Sequence, residues 1–172
     1  MAGDLKIKYG TDAAFTQTNL DGIASSATWV AGWTSGSVDN TSTLALDYLV
    51  AGQFQVESAG LSAGVINVFA YAVLNDTPTW PDLFSAGTEG TEGTATLHDT
   101  EIRDTLRLVA SIATDTTASR FYSFQGVSIA SLFGGIVPTY WALFVAQSTG
   151  AALETTGDPN QIYYMPILGQ YT

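Results

Sequence analysis

No apolar run in this chain goes far. Each is stopped by Thr, Ser, Gly or Asp at about the length of a β-strand, well short of the roughly 18 residues that a membrane-spanning helix requires. Residues 65–75, VINVFAYAVLN, are rich in β-branched and aromatic side chains and run into Asn75-Asp76 and then Pro78, so they read as a central strand ending in a turn. Residues 43–51, TLALDYLVA, alternate; Leu44, Leu46, Tyr48 and Val50 are expected on one face, Ala45, Asp47 and Leu49 on the other, with Gly52 as the break. Residues 105–114, TLRLVASIAT, predict an amphipathic strand closed by Asp115-Thr116-Thr117. Further strands are expected over 27–33, 119–124, 127–132, 139–147 and 162–170.

Charged residues are 12% of the chain, about half the usual share, with Thr, Ser, Gly and Ala in their place. Long helices need solvent faces of Glu, Lys, Arg and Gln; Thr and Ser faces suit strands. Eight to ten short strands without long helices must pair antiparallel and stack as two sheets. The expected fold is therefore all-β, an antiparallel β-sandwich with a jelly roll as first choice. At 172 residues one domain suffices, since a compact chain of this size buries roughly 70% of its unfolded surface. Residues 1–17 are polar enough for an extended arm that could add a strand to a neighbour, and residues 18–172 form the sandwich.

The one long irregular stretch is 76–104, with TPTWPDLF and the imperfect repeat GTEGTEGTA. A loop excursion of that length is uncommon inside a domain and points to contacts or motion. A helical turn is expected at 81–84, where Pro81 suits a first helical position.

With no cysteine, disulfides, thiolate nucleophiles, iron–sulfur clusters and zinc sites that need sulfur are excluded. A formal net charge of −11 repels nucleic acid and acidic membrane surfaces alike. The opening MAGDLKIKYG has neither a signal-peptide stretch nor a lipidation signal, so the expectation is a soluble chain folded in a cytoplasm.

Catalytic chemistry finds little purchase. The one histidine, His98, lies in the polar segment LHDTE, no G-x-S-x-G surrounds a serine, and Gly134-Gly135 lacks a following lysine. Asp99, Glu101 and Asp104 could offer oxygens to a cation, but their spacing matches no EF-hand loop; with Arg103 and Arg107 alongside, a surface ion-pair cluster is the expected reading. No catalytic residue, metal ligand or cofactor is assigned. Trp29, Trp33 and Trp80 could stack on sugars or anchor a protein interface, and Phe84 joins them as a possible interface residue, whereas Trp141 lies in an apolar run and is expected in the core.

KYGTDAAFT, VINVFAYAVLNDTPTWPDLF, FYSFQGVSIASLFGGIVPTYWALFVAQSTGAAL and IYYMPILGQYT, taken in order, resemble small virion structural proteins of tailed bacteriophages. The resemblance implies a non-catalytic capsid decoration, or cement, protein that bridges neighbouring capsomers. Its partners would be the major capsid protein or other virion proteins and copies of itself as dimer or trimer, and its location the virion after synthesis in the host cytoplasm. A neck, tail or fibre-attachment adaptor is the alternative within the virion, and a carbohydrate-binding module the alternative outside it.

Overall fold

The computed structural model describes residues 4–171, and they form a β-sandwich of two antiparallel sheets packed against each other, the class expected from the sequence. In chain order the elements are β1 (Leu5–Tyr9), β2 (Ala13–Ala14), β3 (Ala31–Thr34), β4 (Val38–Asp39), β5 (Asp47–Gln55), β6 (Gly64–Val73), β7 (Gly93–Thr96), α1 (Thr100–Arg103), β8 (Arg107–Thr114), β9 (Phe121–Ser128), α2 (Ile129–Leu132), β10 (Tyr140–Gln147) and β11 (Gln161–Tyr171). Sheet A runs β1-β11-β5-β9 with β2 also on β11; sheet B runs β7-β3-β10-β6-β8 with β4 also on β10. Residues 5–9 and 13–14 of the expected arm pair with β11 of the same chain.

Between the sheets lies the main core. Phe15, Tyr48, Trp141 and Tyr164 meet there with ring centroids 4.7–5.9 Å apart, edge-on or tilted, the geometry that aromatic quadrupoles favour. Gly32 of β3 lets the chain pass close to β10, since a Cβ there would stand 2.0 Å from the Val145 carbonyl oxygen.

A second core lies on the other face of sheet B. Along β10, Trp141, Leu143 and Val145 belong to the main core while Ala142, Phe144 and Ala146 belong to the second; β6 divides likewise, Val68 and Ala70 against Phe69 and Tyr71. Successive side chains point to opposite faces, so these strands are apolar on both and need two covers. The second cover is the 76–104 excursion, which lays Trp80, Leu83, Phe84, Ala95, Leu97 and Ile102 over sheet B.

That excursion is more ordered than the sequence suggested, for it contains β7 and α1. The turn expected at 81–84 is not helical: Phe84 bridges Leu97, and the Leu83 and Phe84 N–H groups donate to one oxygen of Glu89 at 2.7 and 2.6 Å. Glu92 of the same repeat accepts from Trp33 Nε1 at 2.8 Å and from Asn19. Gly90, at φ +70, sits under the Trp80 indole, whose Nε1 a Cβ would approach to 2.6 Å. Both glutamates are thus spent inside the fold as acceptors for donors that would otherwise lack partners.

Three other expectations change. The alternation over 43–51 fails because Leu44 has φ +50 in a turn closed by Asn40, so Leu44 and Leu46 are exposed, β5 begins at Asp47, and it continues through Gly52 with a bulge between Val50 and Gly52. The two strands expected over 119–124 and 127–132 are one strand, β9, followed by α2, where Ser128 caps the Ser131 N–H. Of 27–33 only Ala31–Thr34 begins a strand, since Trp29 has φ +55.

Candidate interaction surfaces

The four aromatic residues singled out in the sequence do not form an exposed platform. Trp33 and Phe84 are 0% exposed, Trp33 in the main core and Phe84 in the second, and both are corrected from interface to core. Trp29 and Trp80 are half-buried against the second core; the Arg103 guanidinium lies 5.8 Å from the Trp29 ring, and Trp80 meets Tyr71 edge-on at 5.2 Å. Their apolar surface secures the 76–104 excursion to sheet B.

The polar candidates are similarly occupied. His98 Nε2 lies 3.0 Å from Asp82 at the surface. Asp99 caps α1 through the Ile102 N–H, Glu101 accepts from the Thr100 hydroxyl, and Asp104 pairs with Arg103 at 2.6 Å. Among the described residues no three His, Asp or Glu side chains gather as a metal-ligand group. The expected five-residue ion-pair cluster reduces to Arg103–Asp104. Arg107 opens β8, paired in register with Ala70 of β6, and its side chain has no hydrogen-bond or ion-pair partner among the described residues.

Two titrating groups sit in strong local fields. Burial, only partly offset by the Gly90 N–H and the Thr34 hydroxyl 2.6 Å away, pushes the Tyr71 phenol up to about 12. Hydrogen bonds from the Tyr122 hydroxyl at 2.7 Å and the Thr117 N–H at 2.8 Å, with Arg120 beside them, hold the Asp115 carboxyl well below the usual carboxylate range. Tyr71 ties sheet B to the excursion and Asp115 closes the turn between β8 and β9, so both are structural.

Two of the remaining open surfaces are apolar. On β11, Ile162 and Tyr164 face the main core, so Tyr163, Met165 and Ile167 point away from it. The register sets Tyr9 of β1 beside Ile167 and Leu49 of β5 beside Met165, while Ile7 lies opposite Gly169. Ile7 is 73% exposed and Tyr9 64%, and among the described residues no segment covers this face as the excursion covers sheet B. Asp47 is the one charged residue among the outward positions of β5 and β11, and its carboxylate is turned to the Tyr48 and Ala130 N–H groups.

A second apolar opening lies at the end of the sandwich where β6 finishes and β8 begins. Leu74, Leu132, Phe133, Ile136, Pro138 and Arg107 line a groove of about 610 Å³, in which Leu74 is 80% and Ile136 74% exposed. A smaller hollow beside Pro81, Leu83 and Leu106 shares Arg107 and Phe133 with it, so Arg107 stands between the two.

The sequence reading missed both surfaces. A signal for the first was present: in IYYMPIL, apolar residues occupy both parities of one strand, which means either a second cover or an open apolar face. Comparison with family models, with curated proteins and with solved structures found no match.

Proposed function

We propose that this chain is a non-catalytic virion structural protein that decorates or cements a phage capsid by bridging neighbouring capsomers. The observation that carries the reading is the pair of apolar openings, one on the outer face of sheet A and one in the end groove. A bridging protein needs more than one contact surface. Solitary exposed apolar residues are ordinary, whereas a contiguous apolar sheet face marks a partner. Few charged side chains must be desolvated when such a face docks.

The strand order supports a jelly-roll reading of the sandwich. Numbering β1, β3, β5, β6, β8, β9, β10 and β11 from one to eight, the sheets run 1-8-3-6 and 2-7-4-5, with β7 added at an edge. The partners under this proposal are the major capsid protein and further copies of this chain, and the location is the virion. Bridging two capsomers lets the first contact raise the effective concentration for the second, so weak individual contacts suffice on a finished shell.

Add-back to stripped shells tests the proposal. The purified chain should co-sediment with expanded shells, raise their thermal disruption temperature and leave unassembled capsid subunits unbound. Shells equally stable with and without the chain would refute the cementing role.

A further inference from the structure

We propose that the end groove receives an extended apolar segment of a protein partner and that a carboxylate on that segment pairs with Arg107. The inference deepens the reading above, because it rests on the chain working by docking to protein.

Five cations stand against 16 carboxylates in this chain; Arg103 and Arg120 pair with Asp104 and Asp115, whereas Arg107, like the exposed Lys6 and Lys8 of β1, is in no ion pair among the described residues, and of these three only Arg107 lines a groove. Its position is fixed by the sheet, at the start of β8 opposite Ala70 in the ladder. On either side are the apolar walls of the two hollows, formed by Leu74 and Ile136 in one and by Pro81 and Leu83 in the other. An unpaired guanidinium between apolar walls selects a ligand that is apolar along its length and anionic at one point, since arginine holds a carboxylate with two parallel N–H donors. The net charge of −11 repels every anion at long range, the partner's carboxylate included, so the attraction must be local to Arg107.

Two probes that differ at one end separate the apolar from the ionic part: N-acetyl-leucyl-leucine and its C-terminal amide, titrated into the isotope-labelled full chain and followed by backbone amide shifts. The acid should shift the amides of 72–74, 105–108 and 132–137 and bind about three- to fivefold more tightly than the amide, the range for a partly exposed ion pair. Added salt should shrink that preference. Arg107→Met should remove the preference while leaving the amide's binding in place, and Arg107→Lys, which keeps the charge without the paired donors, should keep only part of it. Equal affinities for acid and amide, shifts centred elsewhere, or no binding of either probe would overturn the proposal. A chain that still cements shells after such a result would leave the wider function standing and this groove without its assigned role.

Discussion

Replacing Phe84 by alanine asks whether residues 76–104 are a packed layer or a loop resting on the surface. Phe84 is wholly enclosed, with ring centroids 5.6 Å from Tyr71 and 5.4 Å from Phe144, so its loss removes two aromatic contacts and leaves a cavity between sheet B and the excursion. Truncating a phenylalanine in such a site costs about 3–5 kcal/mol, the sum of lost transfer energy and an unfilled cavity. Equilibrium urea unfolding followed by tryptophan fluorescence should show that loss as a lower midpoint with an unchanged slope, because the surface exposed on unfolding is nearly the same. Leu74→Ala is the control: Leu74 is largely exposed, and its truncation should stay within about 0.5 kcal/mol. A cost below about 1 kcal/mol for Phe84→Ala, or a separate early transition, would show that the excursion peels away independently and that sheet B has no true second core.

Three further outcomes follow from the same packing. Glu89→Ala strands the Leu83 and Phe84 N–H groups and should cost about 1–3 kcal/mol in the same unfolding assay, with the loss located in the excursion by faster hydrogen exchange there. Tyr71 ionises near 10 when unfolded and near 12 when folded; the stability it contributes is whole below pH 10 and lost as pH rises towards 12, about 3 kcal/mol at most, and Tyr71→Phe should flatten the alkaline limb of a stability–pH curve in that window. Placing charge on the open face of sheet A, with Ile7→Glu and Tyr9→Glu together, should leave the thermal midpoint within a few degrees while weakening shell binding or self-association by tenfold or more in sedimentation; unchanged association would remove that face from the interface.

Much of the architecture was legible in the residues because strand length and turn chemistry are local. The continuous run of β10 and the β-branched run of β6 both became strands near their expected bounds. The misreadings arise where a distant group decides the local outcome. Glu89 takes the Leu83 and Phe84 N–H groups and Phe84 bridges Leu97, which holds 81–84 out of a helical turn, and the positive φ of Leu44 shifts the start of β5. Trp33 looked like an interface residue because nothing in its neighbours announces that Glu92, 59 residues away, will accept its indole N–H inside the core. The open surfaces were harder still. Ile7, Tyr9 and Tyr163 are apolar like any core residue, and only the register of β1 and β11 puts them on the uncovered face.

The number of copies of this chain per purified particle, measured by mass spectrometry against the major capsid protein, bears most directly on the proposed function. Hundreds of copies, in a fixed ratio to the capsid subunits, are the expected result for a protein that cements the shell. A dozen or so would move it to the neck or tail, and its absence from the particle would contradict the account.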